Sequence, residues 1–584
     1  MKNYLKKIKV FFPRLSPKLI LGLILFLAAF LRLYGLNWDQ GQHLHPDERF
    51  LTMVETALSL PQTFNEYLNP QTSPMNPHNR GYQFFVYGTF PLFLTKLAGE
   101  LTNYSDYDQI HFIGRFLSAL FDLSTILIIF KIGQRVFNTK AGILAAFLYS
   151  SMVLPLQLSH FFAVDTFLTF FLVLSFYFLV LLTTDFRLLT TATLGISFGF
   201  ALACKISALF FGPVIVGGLL FILIKKSKQP IKICLGLITV LAFSALAFRL
   251  SQPSAFATAS FGQWRINPQF VVNLKELRQY DNPETLFPPS IQWLATKPIL
   301  FPLKNLIFWG VGLPLGITAV FSLLYAIAQL LNFSISVRGR TFKLEAKKFL
   351  YFLALFWILG IFFYQGSQFS KNMRYFLPIY PFLALLSADF LLKIIDLLRG
   401  KLSKRALFVS VSLFFSLFLI YPLSFMSIYA QPNTRMAASN WIYQNIPAGA
   451  TLLNEEWDDP LPLNLPQENS SIYTQEYVFM YAPDTPEKWK KINSQLEKVD
   501  YIVLSSNRAY GSTMRLADRY PQTIAYYQSL FTGSGKFQKV AEFYSYPCLP
   551  HLGALSICFN DDDAEESFTV YDHPKVIIFK KASH

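Results

Sequence analysis

The sequence predicts an α-helical polytopic membrane protein with a small α/β domain at its carboxyl end. Three observations carry that prediction: a strong apolar bias, apolar runs of bilayer length separated by short basic gaps, and a change of character after residue 430. Of the 584 residues, 53% are hydrophobic, 17% aromatic and 15% charged, with a mean hydropathy of +0.36, a balance that excludes a soluble enzyme. The net charge of +16 does not point to nucleic acid, because the basic residues lie in the gaps between apolar runs. Four cysteines exclude a disulfide scaffold and a cysteine-rich metal site. Cys548 and Cys558 read either as one disulfide, if that region lies outside the cytoplasm, or as two structural thiols.

Runs long enough to cross a bilayer, at about 20 residues each, lie near 18–36, 112–131, 141–159, 163–183, 187–204, 206–224, 231–250, 303–331, 349–364, 375–396 and 405–428, making about eleven spans. The segment 83–98 is short and interrupted by Pro91, and reads as an interfacial or re-entrant helix. Lys2, Lys6, Lys7, Lys9, Arg14 and Lys18 precede or open the first run, which ends in Leu-Asn-Trp without a small-residue cleavage pattern, so it reads as an uncleaved span. With the amino terminus inside, every strongly basic gap faces the cytoplasm: Lys131, Arg135 and Lys140; Arg187; Lys225, Lys226, Lys228 and Lys232; Arg338, Arg340, Lys343, Lys347 and Lys348; Lys393, Arg399, Lys401, Lys404 and Arg405. An odd number of spans then puts the carboxyl end outside the cell membrane.

Residues 1–430 therefore form a membrane domain with a first outer loop at 37–82, and residues 431–584 an extracytoplasmic α/β domain. In the latter, Ala450–Asn454, Tyr501–Ser505 and Val576–Lys580 read as strands, with helical patterns near 486–498 and 513–529. The charge run FNDDDAEES at 559–567 reads as an exposed turn rather than a metal site, since a calcium loop needs alternating ligands and a glycine bend.

The first outer loop concentrates chemistry. Asn37–Phe50, NWDQGQHLHPDERF, carries two aspartates, a glutamate, two histidines and an arginine. Pro46 suits the first turn of a helix, and Asp47 and Glu48 complement its positive end. On such a helix Asp47, Leu51, Val54 and Leu58 share an apolar face, while Glu48, Thr52, Glu55 and Ser59 share a polar one. Asp47 is thus expected to be the more desolvated acid, with a proton affinity raised toward that of a general base. The alternative is that both acids only start a surface helix.

Further ionisable groups gather on the same outer side. Arg115 and Asp122, one above the other on a helix, are either an ion pair between helices or substrate contacts. His160 and Asp165 lie at the third-to-fourth turn, where Asp165 either caps a helix or faces a site. Lys205 interrupts an apolar stretch, as a snorkelling lysine or as a cation for a lipid phosphate. Lys371 and Arg374 either anchor a helix at the interface or serve the same site. His45, next to the acids, joins these candidate substrate contacts. A carboxylate with cations near the headgroups suits transfer from a phosphate leaving group held in the membrane.

These residues resemble a known family. WDQGQHLHPDERF after the first span, FVYGTFPLFLTK, HFFAVDTFLTFF, GFALACKISAL and KNMRYFLPIYPFL together are similar to the membrane glycosyltransferases of the GT-C class, in particular bacterial members of glycosyltransferase family 39 and the dolichyl-phosphate-mannose-protein mannosyltransferase-like group. The resemblance covers roughly residues 18–430. It implies a polyprenyl-phosphate-linked sugar donor, a glycan, lipid or protein acceptor on the outer face, inversion at the sugar carbon, and an acidic base in the first loop. By position that role falls on Asp47, with Glu48 and Asp39 as substitutes, while Lys205 and Arg374 fall where such enzymes carry basic residues near the lipid phosphate. No cofactor is expected, and a divalent cation held by His43, His45 and Asp47 stays open. The rival reading is a transporter or flippase of lipid-linked sugars, which would carry polar sites near the midplane of two related halves.

Overall fold

The computed structural model describes residues 16–225, 230–285, 287–331, 346–549 and 556–582. Of the basic residues used above for orientation, Lys2, Lys6, Lys7, Lys9, Arg14, Lys226, Lys228, Arg338, Arg340 and Lys343 lie outside these ranges.

The membrane domain is built from helices α1 (Pro17–Leu33), α2 (Pro46–Ala57), α3 (Thr89–Thr102), α4 (Tyr107–Val136), α5 (Thr139–Ser150), α6 (Val164–Thr184), α7 (Leu188–Cys204), α8 (Gly212–Lys225), α9 (Pro230–Ser251), α10 (Pro268–Gln279), α11 (Leu313–Leu331), α12 (Ala346–Ser367), α13 (Tyr380–Arg399) and α14 (Lys404–Ala430). Among the described residues, seven helices are long and apolar enough to cross a membrane. The other four expected spans are helical but depart from the simple pattern. α1 and α7 have 17 residues each. The run 141–159 breaks at Met152 into α5 and a short helix Val153–Leu158. Pro155 explains the break, because its ring would clash with the Ser151 carbonyl in a continuous helix. The run 375–396 begins as a 3-10 turn, Met373–Ile379, and α13 carries Asp389, Lys393 and Asp396. The interrupted segment at 83–98 becomes α3, with Pro91 in its first turn, where a missing N–H is tolerated.

Charged groups inside the bundle form ion pairs between elements, the first of the two alternatives for Asp122. Asp122 does not meet Arg115; it accepts from Arg32 Nε at 2.5 Å and from the Tyr149 hydroxyl at 2.6 Å, tying α4 to α1 and α5. Asp389 near the other end of the bundle accepts from Lys347 Nζ at 2.8 Å and from the Tyr351 hydroxyl.

The carboxyl-terminal domain follows α14 through α15 (Thr434–Asn445). Its five strands are β1 (Thr451–Glu455), β2 (Thr474–Val478), β3 (Tyr501–Leu504), β4 (Phe537–Phe543) and β5 (Val576–Lys581), with α16 (Pro486–Lys498) and α17 (Pro521–Thr532) between them. The sheet order is β2-β1-β3-β5-β4, with β1 parallel to β2 and β3, and β5 antiparallel to β3 and β4. The helical pattern at 513–529 splits into a short helix, Arg508–Thr513, and α17, because Pro521 starts a helix but does not continue one. Cys548 and Cys558 form a disulfide, the first of the two alternatives.

The acidic run 559–567 is not simply an exposed turn. Asp562 and Asp563 face solvent, whereas Asp561, Glu565 and Glu566 are buried. His573 sits between Asp561 (3.0 Å from Nε2) and Asp572 (2.5 Å from Nδ1). Asp572 also accepts from Gln157 Nε2 at 3.0 Å and from the Tyr429 hydroxyl at 2.9 Å, so this turn docks the carboxyl-terminal domain onto the helical domain. Burial works against a charged His573, but Asp572 and Asp561 outweigh it and raise its pKa to about 10. A raised histidine pKa gives stability that is full below the ordinary value and lost as pH rises through the folded value. The melting temperature of the purified protein is therefore expected to fall as the pH rises from 7 through 10, and His573→Gln to flatten that decline. A decline of equal steepness in His573→Gln would assign it to other groups.

Candidate active site

The acidic motif after α1 folds around Arg115. Pro46 opens α2 as expected, and the His45 ring caps it, with Nδ1 accepting the Glu48 N–H at 3.3 Å. Glu48 does not face water: Arg115 donates to its two oxygens at 2.5 and 2.9 Å, and the Phe162 N–H donates at 2.8 Å. The same guanidinium holds Asp39 at 2.8 and 3.0 Å, and all three side chains are fully buried. One arginine serves two carboxylates. Asp39, pushed up by burial but pulled down more strongly by Arg115, is held at about 2, while burial leaves Glu48 above its ordinary value. Glu55, on the same face of α2, is also buried. The face expected to be polar and exposed is covered because α2 lies against α4 and α3, not on an open surface.

Asp47 points the other way, into a cavity of about 580 Å³. Its carboxylate is bonded to the Arg374 guanidinium and receives a hydrogen bond from Tyr87. Burial raises its proton affinity, but Asp47 is not the more desolvated of the two acids as expected, since its side chain is one-fifth exposed while that of Glu48 is fully buried. Arg374, then His45 and Tyr87, outweigh that effect and hold the carboxyl at about 2. The expected raised affinity is therefore corrected: Asp47 is a carboxylate throughout the physiological range.

A second ion pair shares the cavity. Lys205, in the turn after α7, lies 3.1 Å from Asp165 in the first turn of α6, and its ammonium stands 4.5 Å from the centre of the Tyr375 ring. Asp165 makes no side-chain cap, so the capping alternative does not apply to it. Below this polar end the wall continues along Leu168 and Leu172 of α6 and Trp357 and Ile361 of α12, toward the interior of the bundle. Close approach of two segments fixes the Lys205 turn. The Gly88 N–H donates to the Cys204 carbonyl at 3.1 Å, and a Cβ at Gly88 would stand 2.0 Å from the Ala203 oxygen. Gly88→Ala must push α3 from α7, and is expected to destabilise the protein by about 1–3 kcal/mol; an unchanged melting temperature would remove this contact as a constraint.

The site residues read from the sequence thus fall into two groups. Asp47, Asp165, Lys205 and Arg374 line one cavity. Glu48, Asp39 and Arg115 form a buried knot behind it, which corrects the reading of the two acids as substitutes for Asp47 and of Arg115 as a substrate contact. His160 stacks on Tyr429 at 3.8 Å and bonds the Leu156 and Tyr34 carbonyls, and Lys371 is buried with Nζ on the Phe369 carbonyl; neither lines the cavity. His45 packs between Phe161 and Tyr571, each ring 4.5 Å away, and acts through α2. His43 packs on His111, so His43, His45 and Asp47 do not converge. Among the described residues no cluster of three or more His, Cys, Asp or Glu is arranged to hold a metal ion. Tyr87 and Tyr375 escaped the sequence reading, because an aromatic residue in an apolar chain carries no local signal of a site.

Comparison with known proteins bears on the fold and on one stretch of sequence. Residues 107–248 match the family model described as dolichyl-phosphate-mannose-protein mannosyltransferase. No curated protein matches the chain. The apo oligosaccharyltransferase of Archaeoglobus fulgidus superposes with a TM-score of 0.51 at 14% identity, covering 88% of this chain and 72% of that one. ArnT from Cupriavidus metallidurans bound to undecaprenyl phosphate gives a TM-score of 0.39 at 12% identity, covering 92% of this chain and 97% of that one. In sequence over 107–248, and in fold over most of its length, the chain carries the resemblance to GT-C membrane glycosyltransferases that its motifs suggested.

Proposed function

We propose that the protein is an inverting glycosyltransferase that moves a sugar from a polyprenyl-phosphate-linked donor to an acceptor on the outer face of the cell membrane. The observation that carries this reading is one cavity that brings the Asp47 carboxylate together with the Arg374 and Lys205 cations, the latter paired with Asp165, above an apolar wall running into the bundle. The prenyl chain lies along Leu168, Leu172, Trp357 and Ile361, and the phosphate lies between Lys205 and Arg374. Asp47 takes the proton of an acceptor hydroxyl, whose oxygen attacks the anomeric carbon from the face opposite the phosphate. The carbon–oxygen bond to the phosphate breaks, and the departing anion is stabilised by the two cations. Arg374 has two duties, since it also pairs with Asp47. A phosphate that draws the guanidinium toward itself relieves the carboxylate of its strongest partner and raises its basicity when the donor is in place.

The disulfide of the outer domain and the basic residues at the opposite ends of the helices support an outer location for the cavity. The test is transfer of radiolabelled sugar from a panel of polyprenyl-linked donors by the purified protein in lipid. Donor consumed with formation of glycosylated acceptor supports the reading. Labelled carrier that changes leaflet without being consumed replaces it by the flippase.

A further inference from the structure

Two contacts from one turn of the outer domain reach the two sides of the Asp47–Arg374 pair. The Glu565 carboxylate accepts the Met373 N–H at 2.7 Å, and Met373 is the residue immediately before Arg374. The second oxygen of Glu565 takes the Ser567 hydroxyl at 2.6 Å, so both carboxylate oxygens are held, and the backbone N–H of Glu565 donates to Asn305 Oδ1 at 2.7 Å. Six residues on, the Tyr571 ring lies 4.5 Å from the His45 ring, which caps the helix that begins with Asp47. The turn between them is anchored by Arg508 on Glu566 at 3.2 Å, and by Asp572 on Gln157 and Tyr429. Neither Glu565 nor Tyr571 lines the main cavity. A smaller cavity runs between the turn and the pair, lined by His45, Met373, Arg374, Phe568 and Tyr571.

We propose that Glu565 and Tyr571 are positioning residues for the transfer reaction, holding the Arg374 segment and the Asp47 helix in register across the cavity from a single rigid turn of the outer domain. Asp47 and Arg374 come from chain segments more than three hundred residues apart, and their ion pair is partly solvent-exposed. A bond to the peptide before Arg374 and a ring against the helix cap add geometric constraints that the ion pair itself does not supply. The outer domain is then part of the catalytic apparatus rather than a cover over it. The inference rests on the transferase reading above.

The test uses the full chain in lipid and compares Glu565→Ala and Tyr571→Ala with the conservative Glu565→Gln and Tyr571→Phe. Glutamine still accepts from Met373 and donates to Ser567, and phenylalanine keeps the ring. The alanine variants are expected to lose about tenfold to a hundredfold in kcat with the donor KM little changed, and the conservative variants to recover most of it. Hydrogen exchange supplies a readout that needs no donor: the amides of 372–375 lose protection in Glu565→Ala and keep it in Glu565→Gln. Unchanged exchange overturns the proposal, as does full turnover by the alanine variants in a preparation whose parent transfers sugar, or equal loss in the alanine and conservative variants. If the parent itself transfers nothing, the transferase reading fails, while the exchange result still decides whether the turn holds the Arg374 segment.

Discussion

Asp47→Asn is expected to lower sugar transfer by about two to four orders of magnitude in kcat, the range of a lost general base, with donor KM close to that of the parent. Asparagine keeps the shape of the side chain and can still accept from Tyr87 and Arg374, so the fold around α2 has no reason to change. It cannot take a proton from a hydroxyl. The pH dependence adds a second check. Arg374, His45 and Tyr87 together overcome burial and hold the Asp47 carboxyl at about 2, so it is ionised above that value. A depressed aspartate pKa contributes stability that is present above the ordinary value and is lost as the pH falls through the folded one. Neither the fold nor kcat/KM should therefore lose an Asp47 contribution between pH 8 and about 4. Substantial turnover by Asp47→Asn, or an acid limb near pH 6 that this variant abolishes, would move the base to another residue or another mechanism.

Arg115→Met is expected to be the most destabilising single change in the first loop, at about 3–5 kcal/mol. The guanidinium is fully buried and supplies four donor contacts to Asp39 and Glu48 and a fifth to the Leu36 carbonyl, at 2.5 Å. Methionine fills much of the volume but leaves two carboxylates facing each other without a counter-charge. The penalty is that of stranded charge, so neutralising the acids should restore much of it. Arg115→Met combined with Asp39→Asn and Glu48→Gln is expected to melt well above the single variant, although each amide keeps some unmet hydrogen-bonding capacity. Thermal unfolding of the purified proteins in detergent compares them. A single variant as stable as the parent would show that the knot does not hold the loop.

The sequence by itself determined the elements that depend on local chemistry. Apolar length gave the spans, Pro46 with two following acids gave the start of α2, and apolar runs of strand length gave β1, β3 and β5. It also marked Asp47, Lys205 and Arg374 as charged residues beside apolar runs, because such a charge is conspicuous wherever the chain goes. Partnership was decided by the tertiary structure. Arg115 and Asp122 lie on one helix, yet each is taken by residues that only packing brings near: Asp39 and Glu48 for the first, Arg32 and Tyr149 for the second. A wheel drawn for α2 assumed one covered face, and the bundle covers more, which buries Glu48 and Glu55 and leaves Asp47 as the acid that meets the cavity. The same difference explains the proton affinity of Asp47. Burial acts on a single residue and is legible in a pattern, whereas the stronger opposing field comes from Arg374, a residue whose proximity no local pattern encodes.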